Sequence, residues 1–217
     1  MNQNSTVDKI IKLYNEKQKP ILIALGTIVA IIGLAYYAIA IYLPEQEEAA
    51  QADMYMAQFQ FDQGNFELAL KGEGKNKGFD YIKDNYSFTN AKKIAKLYAG
   101  LCKLNLGQYD KAIEDLKGYS TDVTEMQAIA YSSLGSAYAE KKNMTEALEY
   151  YEKAANATNN PALAPKLILM AGKAFMAQKN SEKAKEMFDK IESDFPNSQE
   201  AQMAQIYGAG AQATATK

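Results

Sequence analysis

The chain has 217 residues, 47% hydrophobic and 23% charged, with 24 lysines against 26 acids and a formal net charge of −2. It contains no Arg, no His, no Trp and one Cys. These absences exclude imidazole acid–base chemistry, Ser-His or Cys-His pairs, His-bearing zinc sites, the bidentate Arg fork and an intrachain disulfide, and the acidic balance excludes the basic footprint of a nucleic-acid binder.

Residues 1–19 read as a short basic tail, with Lys9, Lys12, Lys17 and Lys19 against Asp8 and Glu16. No charge then occurs from Pro20 to Pro44, and residues 21–43 hold twelve Ile, Leu or Val. A helix rising about 1.5 Å per residue takes those residues across a hydrocarbon core of about 30 Å, so 20–44 is expected to be a transmembrane helix. Tyr36, Tyr37 and Tyr42 gather toward one end, where phenols suit the lipid boundary. Lysines precede the span and Glu45, Glu47 and Glu48 follow it, which predicts a cytoplasmic N-terminus and an outside-facing remainder, periplasmic in a Gram-negative cell. Ala38-Ile39-Ala40 also fits a signal-peptidase site. The apolar run is longer than a secretory core and continues past that point, so a retained anchor is the expectation. Gly26, Ala30 and Gly33 share one side of the span, the small-residue spacing at which two membrane helices approach closely.

Four lysines and two acids precede residue 45, leaving 20 and 24 in the rest of the chain. Here the sequence repeats. Gly100, Gly135 and Gly172 stand 35 and 37 residues apart; Ala112, Ala147 and Ala184 follow twelve residues after each, and Leu116, Tyr151 and Phe188 sixteen after each. Ala57 and Ala69 open a weaker copy, with Glu73 in the third place. Such spacing suits antiparallel helix pairs: the small residues let two helices close, and the large one fills space against the next pair. Helix starts are expected at Asp122 with Glu125 as a capping box, at Asn143 or Thr145, and at Asn160 followed by Pro161. Gly72 to Gly78 reads as a loop before a short helix near Phe79 to Tyr86, and no stretch shows strand alternation flanked by hairpin turns.

At these residues the sequence resembles the tetratricopeptide repeat family, through Leu134-Gly135, Tyr138, Ala147, Tyr151 and Ala154, and again through Ala171-Gly172, Phe175, Ala184, Phe188, Ile191 and Pro196. Ala99-Gly100, Gly107, Tyr109, Ala112 and Leu116 fit too, although Lys103 sits where the family prefers an aromatic. Apolar run and resemblance together imply an all-α chain: one N-terminal transmembrane helix, then a tetratricopeptide-type α-solenoid of about four helix pairs plus a capping helix around Gln199 to Tyr207, the repeat domain covering 45–207. Residues 208–217, rich in Ala, Gly and Thr, are expected to be a mobile tail.

Chemical signatures are sparse. Gly72 to Gly78 lacks the G-K-[ST] ending of a phosphate loop, no Ser is followed three residues later by Lys, and the acid pairs lie among lysines on helix faces. Cys102 reads as a small core residue. No catalytic, cofactor or metal site is expected, and no small-molecule substrate.

The family's groove register falls on Met54, Gln58 and Phe61; Leu97, Leu101 and Leu104; Ile129, Ser132, Ser136 and Ala139; and Lys166, Leu169, Lys173 and Met176. This lining is mostly apolar, which suits a hydrophobic helix or extended segment of another protein, unless a neighbouring helix of the chain covers part of it. Basic tail, single span and outside-facing repeats together resemble the ancillary subunit family of the bacterial SecYEG translocon. That resemblance implies a non-enzymatic, single-pass inner-membrane adaptor whose partners are translocon subunits, a membrane-anchored periplasmic chaperone of the prolyl-isomerase type and exported polypeptides. The alternative is an envelope scaffold for outer-membrane or cell-wall assembly, with the span as a mere tether.

Overall fold

The computed structural model describes residues 4–215, which fall into two compact units with their boundary between Ala49 and Ala50. In the first unit, α1 runs from Asn4 to Tyr37, a five-residue π-helical turn follows at Ala38–Tyr42, and α2 continues as Leu43–Asp62. The segment expected as a tail is therefore helical from residue 4, and Pro20 lies inside α1 instead of opening it. Proline removes one ladder donor and crowds the preceding turn, but does not end a long run of helix-compatible residues. Pro44 follows directly on the π-helical turn inside a helix that continues to Asp62, so its missing N–H interrupts the ladder there, where the Leu43 N–H already reaches back to the Ala38 carbonyl. The stretch Gln18–Asp62 is long and apolar enough to cross a membrane, and its apolar window is wholly uncovered by protein. Ile23, Val29, Ile31 and Leu34 all project outward from α1.

The second unit is a stack of helical hairpins. The part of α2 from Ala50 pairs with α3 (Phe66–Lys71); then come α5 (Asn90–Asn105) with α6 (Tyr109–Lys117), α7 (Thr124–Glu140) with α8 (Met144–Ala157), and α9 (Ala164–Ala177) with α10 (Ser181–Asp194). Between the first two pairs lie α4 (Phe79–Asn85) and a hairpin of two strands, β1 (Gly72–Glu73) and β2 (Asn76–Lys77), paired antiparallel. The expected loop is thus a two-residue-per-strand ladder, too short for alternation to reveal. Glycine makes it possible: Gly72 has φ +80°, and a Cβ there would lie 2.2 Å from the Asn76 carbonyl oxygen. A last helix, α11 (Gln199–Ala215), packs on α9 and α10. It extends well past the expected end at Tyr207, so the tail expected to be mobile is helical to Ala215. Alanine, the best helix former, outweighs Gly208 and Gly210 here.

The repeated small and large residues meet as the spacing requires. A Cβ on Gly100 would lie 2.7 Å from Leu116 Cγ, on Gly135 2.5 Å from Tyr151 Cδ1, and on Gly172 2.6 Å from Phe188 Cε1. Each large side chain therefore sits on the glycine of its own hairpin, a contact additional to the expected filling toward the next pair. Phe188 does both, stacking on Tyr207 of α11 at 5.9 Å.

The turns within the four hairpins share one design. Gly64, Gly107, Lys142 and Lys179 all have φ between +60° and +76°. In each, the next residue donates its N–H back across the helix end: Asn65 to the Gln60 carbonyl, Gln108 to Lys103, Asn143 to Tyr138 and Asn180 to Phe175, at 2.8–3.0 Å. This is the Schellman closure, which satisfies carbonyls left open by the last turn.

Helix starts depart from expectation. Val123, not Asp122, precedes α7, and no capping box forms; Thr121 and Gln127 order the entry instead. Asn143 stands at the N-cap of α8 without a side-chain cap bond. Asn160 accepts from the Ala162 N–H in a turn, and α9 begins only at Ala164 with Pro165 in its first turn. Side-chain caps do form at Thr89, accepting from Lys92 N–H at 3.0 Å, and at Asn180, accepting from Lys183 N–H at 3.1 Å.

Two apolar clusters fill the stack. One joins α2, α3 and α4 to Ala91, Ala95, Ala99 and Cys102 of α5; the other runs from Leu97 of α5 through α6–α10 to Ala204 of α11. α5 belongs to both, which makes it the element joining the first hairpin to the rest.

Candidate interaction surface

Expected groove positions divide into three groups by what covers them. Met54, Leu97 and Leu169 are buried and belong to the core, so their side chains are not presented to a partner. Met54 packs in the cluster of α2 to α5, Leu97 and Leu169 in the cluster that runs through the later hairpins. Phe61 is half-buried and held edge-on by Phe66, Phe79 and Tyr98 at 4.9–6.4 Å, so it too works mainly as packing. Leu101, Leu104, Ala139 and Met176 rest against the core with part of their surface in solvent.

The remaining positions are open or half open. Gln58 is half-buried on α2. Ile129, Ser132 and Ser136 follow one another along a face of α7; Ser132 donates to the Ile129 carbonyl at 3.0 Å and Ser136 to the Ser132 carbonyl at 3.0 Å. Tyr151 of α8 reaches Ser136 Oγ at 3.3 Å. On α9, Lys166 and Lys173 are exposed, with Lys173 Nζ 5.5 Å from the Tyr207 ring. Among the first helices α5 touches α7, and α9 touches the last helix, α11. The surface they form is narrower and more polar than the sequence suggests.

Beside α5 lies an open cleft of about 550 Å³, bounded by Asn90, Lys93, Ile94, Tyr119, Val123 and Met126. Elsewhere the hairpins are fastened by charge. Lys103 is buried and donates to Asp115 Oδ2 at 2.6 Å and Asp80 Oδ1 at 2.8 Å; Lys83 reaches Asp115 Oδ1 at 3.0 Å. Burial works to depress the Lys83 ammonium, but Asp115, then Asp80 and Asp84, hold it above its ordinary value. Lys103 stands where an aromatic was expected, and this ion network fastens α4 to α5 and α6. Nothing in the spacing of Asp80, Lys103 and Asp115 announced it.

Cys102 is fully buried, and burial, reinforced by Asp80, pushes its thiol up from 9.0 to about 12. It is a core residue and not a thiolate nucleophile at neutral pH. Tyr86 donates to Asp53 Oδ2 at 2.6 Å, and that bond, aided by burial, raises its phenol from 10.0 to about 12. Gly26, Ala30 and Gly33 are exposed on α1, and a Cβ added at Gly26 or Gly33 would meet nothing within 4 Å.

A stack of antiparallel helical hairpins with exposed first-helix faces is the architecture of an interaction solenoid. Two family models, each described as tetratricopeptide repeat, match residues 99–162 and 167–198. These segments run from the middle of α5 through α8 and from α9 through α10, and the match is to a repeat that mediates protein–protein interaction. The chain matches no curated protein.

Proposed function

We propose that the chain is a membrane-anchored, non-enzymatic interaction adaptor of the bacterial Sec export machinery, fixed in the inner membrane by α1 with its N-terminus cytoplasmic and its repeats periplasmic. The observation that carries this reading is the uncovered apolar helix ahead of an interaction solenoid: its Ile, Leu and Val side chains have no protein to bury them, and a bilayer removes them from water. The lysines before it and glutamates after it favour the stated orientation. Confinement to the membrane surface raises the effective concentration of the repeats near membrane-embedded partners. Those partners are translocon subunits and a membrane-anchored periplasmic chaperone, with exported polypeptides as clients. The open faces of α7 and α9, bearing Ile129, Ser132, Ser136, Lys166 and Lys173, serve as the docking side, and Gly26, Ala30 and Gly33 as the contact within the membrane.

Crosslinking followed by co-purification from detergent-solubilised membranes tests this assignment. Translocon or chaperone components should be recovered with the intact chain and lost when residues 20–44 are replaced by an unrelated span. Recovery of neither component contradicts the translocon role; retention of all partners after the swap points to a scaffold that uses its span only as a tether.

A further inference from the structure

We infer that residues 4–19 of α1 make a second membrane contact, an amphipathic helix that settles on the anionic lipid headgroups of the bilayer crossed by 20–44. The inference rests on the span proposed above and adds a surface to it. Helical geometry sorts the side chains of this segment, which is part of the continuous helix Asn4–Tyr37. At roughly 100° per residue, Val7, Ile10, Ile11 and Tyr14 fall within an arc of about 100°, the i, i+3, i+4, i+7 pattern of one apolar face. Lys9, Lys12 and Lys19 fall on the opposite side, all exposed. The four apolar residues are 51–67% exposed. A globular domain buries such a stripe against its core. No described residue of Met1–Ala49, the unit to which the segment belongs, is buried.

The occupant of this face follows from its place in the chain. Tyr14 stands six residues before Pro20, about 9 Å of helix, so wherever the span is inserted a lipid surface lies within reach of the stripe. A partner protein would have to come to this face; the bilayer is already attached to it. Pro20 is the joint. It has no N–H for the Glu16 carbonyl and its ring crowds that turn, so α1 can bend there and bring the segment toward the membrane plane.

Charge selects the kind of lipid. Lys9, Lys12, Lys17 and Lys19 outnumber Asp8 and Glu16 by two in residues 1–19. Lysines along one side and aliphatic residues along the other are what an interfacial helix needs, the apolar side entering the acyl boundary and the ammonium groups meeting anionic headgroups. A nucleic acid would satisfy the lysines and leave the stripe in water.

The test uses the full chain in nanodiscs of phosphatidylcholine alone or of an equimolar mixture with phosphatidylglycerol. A fluorophore is attached at Ile11→Cys on the stripe or at Asp8→Cys on the lysine side, and its access to water is read by acrylamide quenching. Cys102 is buried and should take no label in the folded chain, which the unsubstituted chain verifies. In the mixed discs quenching at position 11 should be about threefold or more below that at position 8. Position 11 should open in phosphatidylcholine alone, and also in the mixed discs once Lys9→Gln and Lys12→Gln are introduced. Val7→Cys gives an independent reading at the other end of the stripe. Equal quenching on the two sides, or protection indifferent to both phosphatidylglycerol and the lysines, overturns the inference. Protection found only in native membrane vesicles assigns the stripe to a protein and overturns it as well. Co-migration with the discs separates this result from the anchor reading: a chain that enters the discs with position 11 open refutes the surface contact alone, and a chain that stays out of them refutes both.

Discussion

Three glycines carry the closest approaches in the stack. At Gly135 any side chain would enter the Tyr151 ring, which is held on the other side by its own helix, so Gly135→Ala forces a shift of backbone or ring. Overpacking of this kind costs about 1–3 kcal/mol, readable as a lower melting temperature in denaturation of the purified protein. The turns give the opposite sign. Lys142 and Lys179 hold the left-handed conformation that Gly64 and Gly107 supply in the earlier copies. Lys142→Gly relieves a strain of about 1 kcal/mol, partly offset by added freedom of the unfolded chain, so melting should rise slightly or stay level and not fall. The ion network is tested by contrast. Asp115→Ala leaves Lys103 with Asp80 alone in a buried site and should cost about 3–5 kcal/mol, whereas Lys103→Met leaves Asp115 paired to Lys83 and should cost less.

Among the elements, α4 and its neighbours govern the response to alkali. Tyr86 and Cys102 hold their protons more tightly in the folded chain than in the unfolded one, each up to about 12 from 10.0 and 9.0. Their contribution is complete below pH 9 and is lost as pH rises toward 12; the raised Lys83 ammonium acts in the same direction. Melting temperature should therefore fall between pH 9 and 12, and Tyr86→Phe should flatten part of that fall. The helix pairs themselves were legible because 35- and 37-residue steps fix a glycine, an alanine and a large residue at three places on a hairpin. What covers each position was less so. Met54, Leu97 and Leu169 carry the right register but lie buried in the two apolar clusters of the stack. Lys103 and Asp115 are twelve residues apart on different helices, and only the folded hairpin brings them together. The Asp122 box failed because Thr121 and Gln127 order that entry, a competition among short-range hydrogen bonds that spacing alone does not rank.

For the whole molecule the argument reduces to two units of contrasting character. One is a helix whose apolar side chains no protein covers; the other is a solenoid of hairpins with two of its four turns closed by glycine and two by lysine. The proposed adaptor role needs both, the helix as a tether and the solenoid as a docking stack. The platform reading requires the repeats to lie across the bilayer from the basic N-terminus. Protease added to intact cells and to spheroplasts of a Gram-negative host expressing the chain, followed by immunoblotting for an N-terminal tag and for the repeats, measures this directly. The account predicts a full-length, membrane-bound chain in intact cells and, once the outer membrane is opened, digestion of the repeats with a short tagged fragment left in the membrane. Repeats that survive in spheroplasts, or a shortened chain released in soluble form without its N-terminal tag, would contradict it.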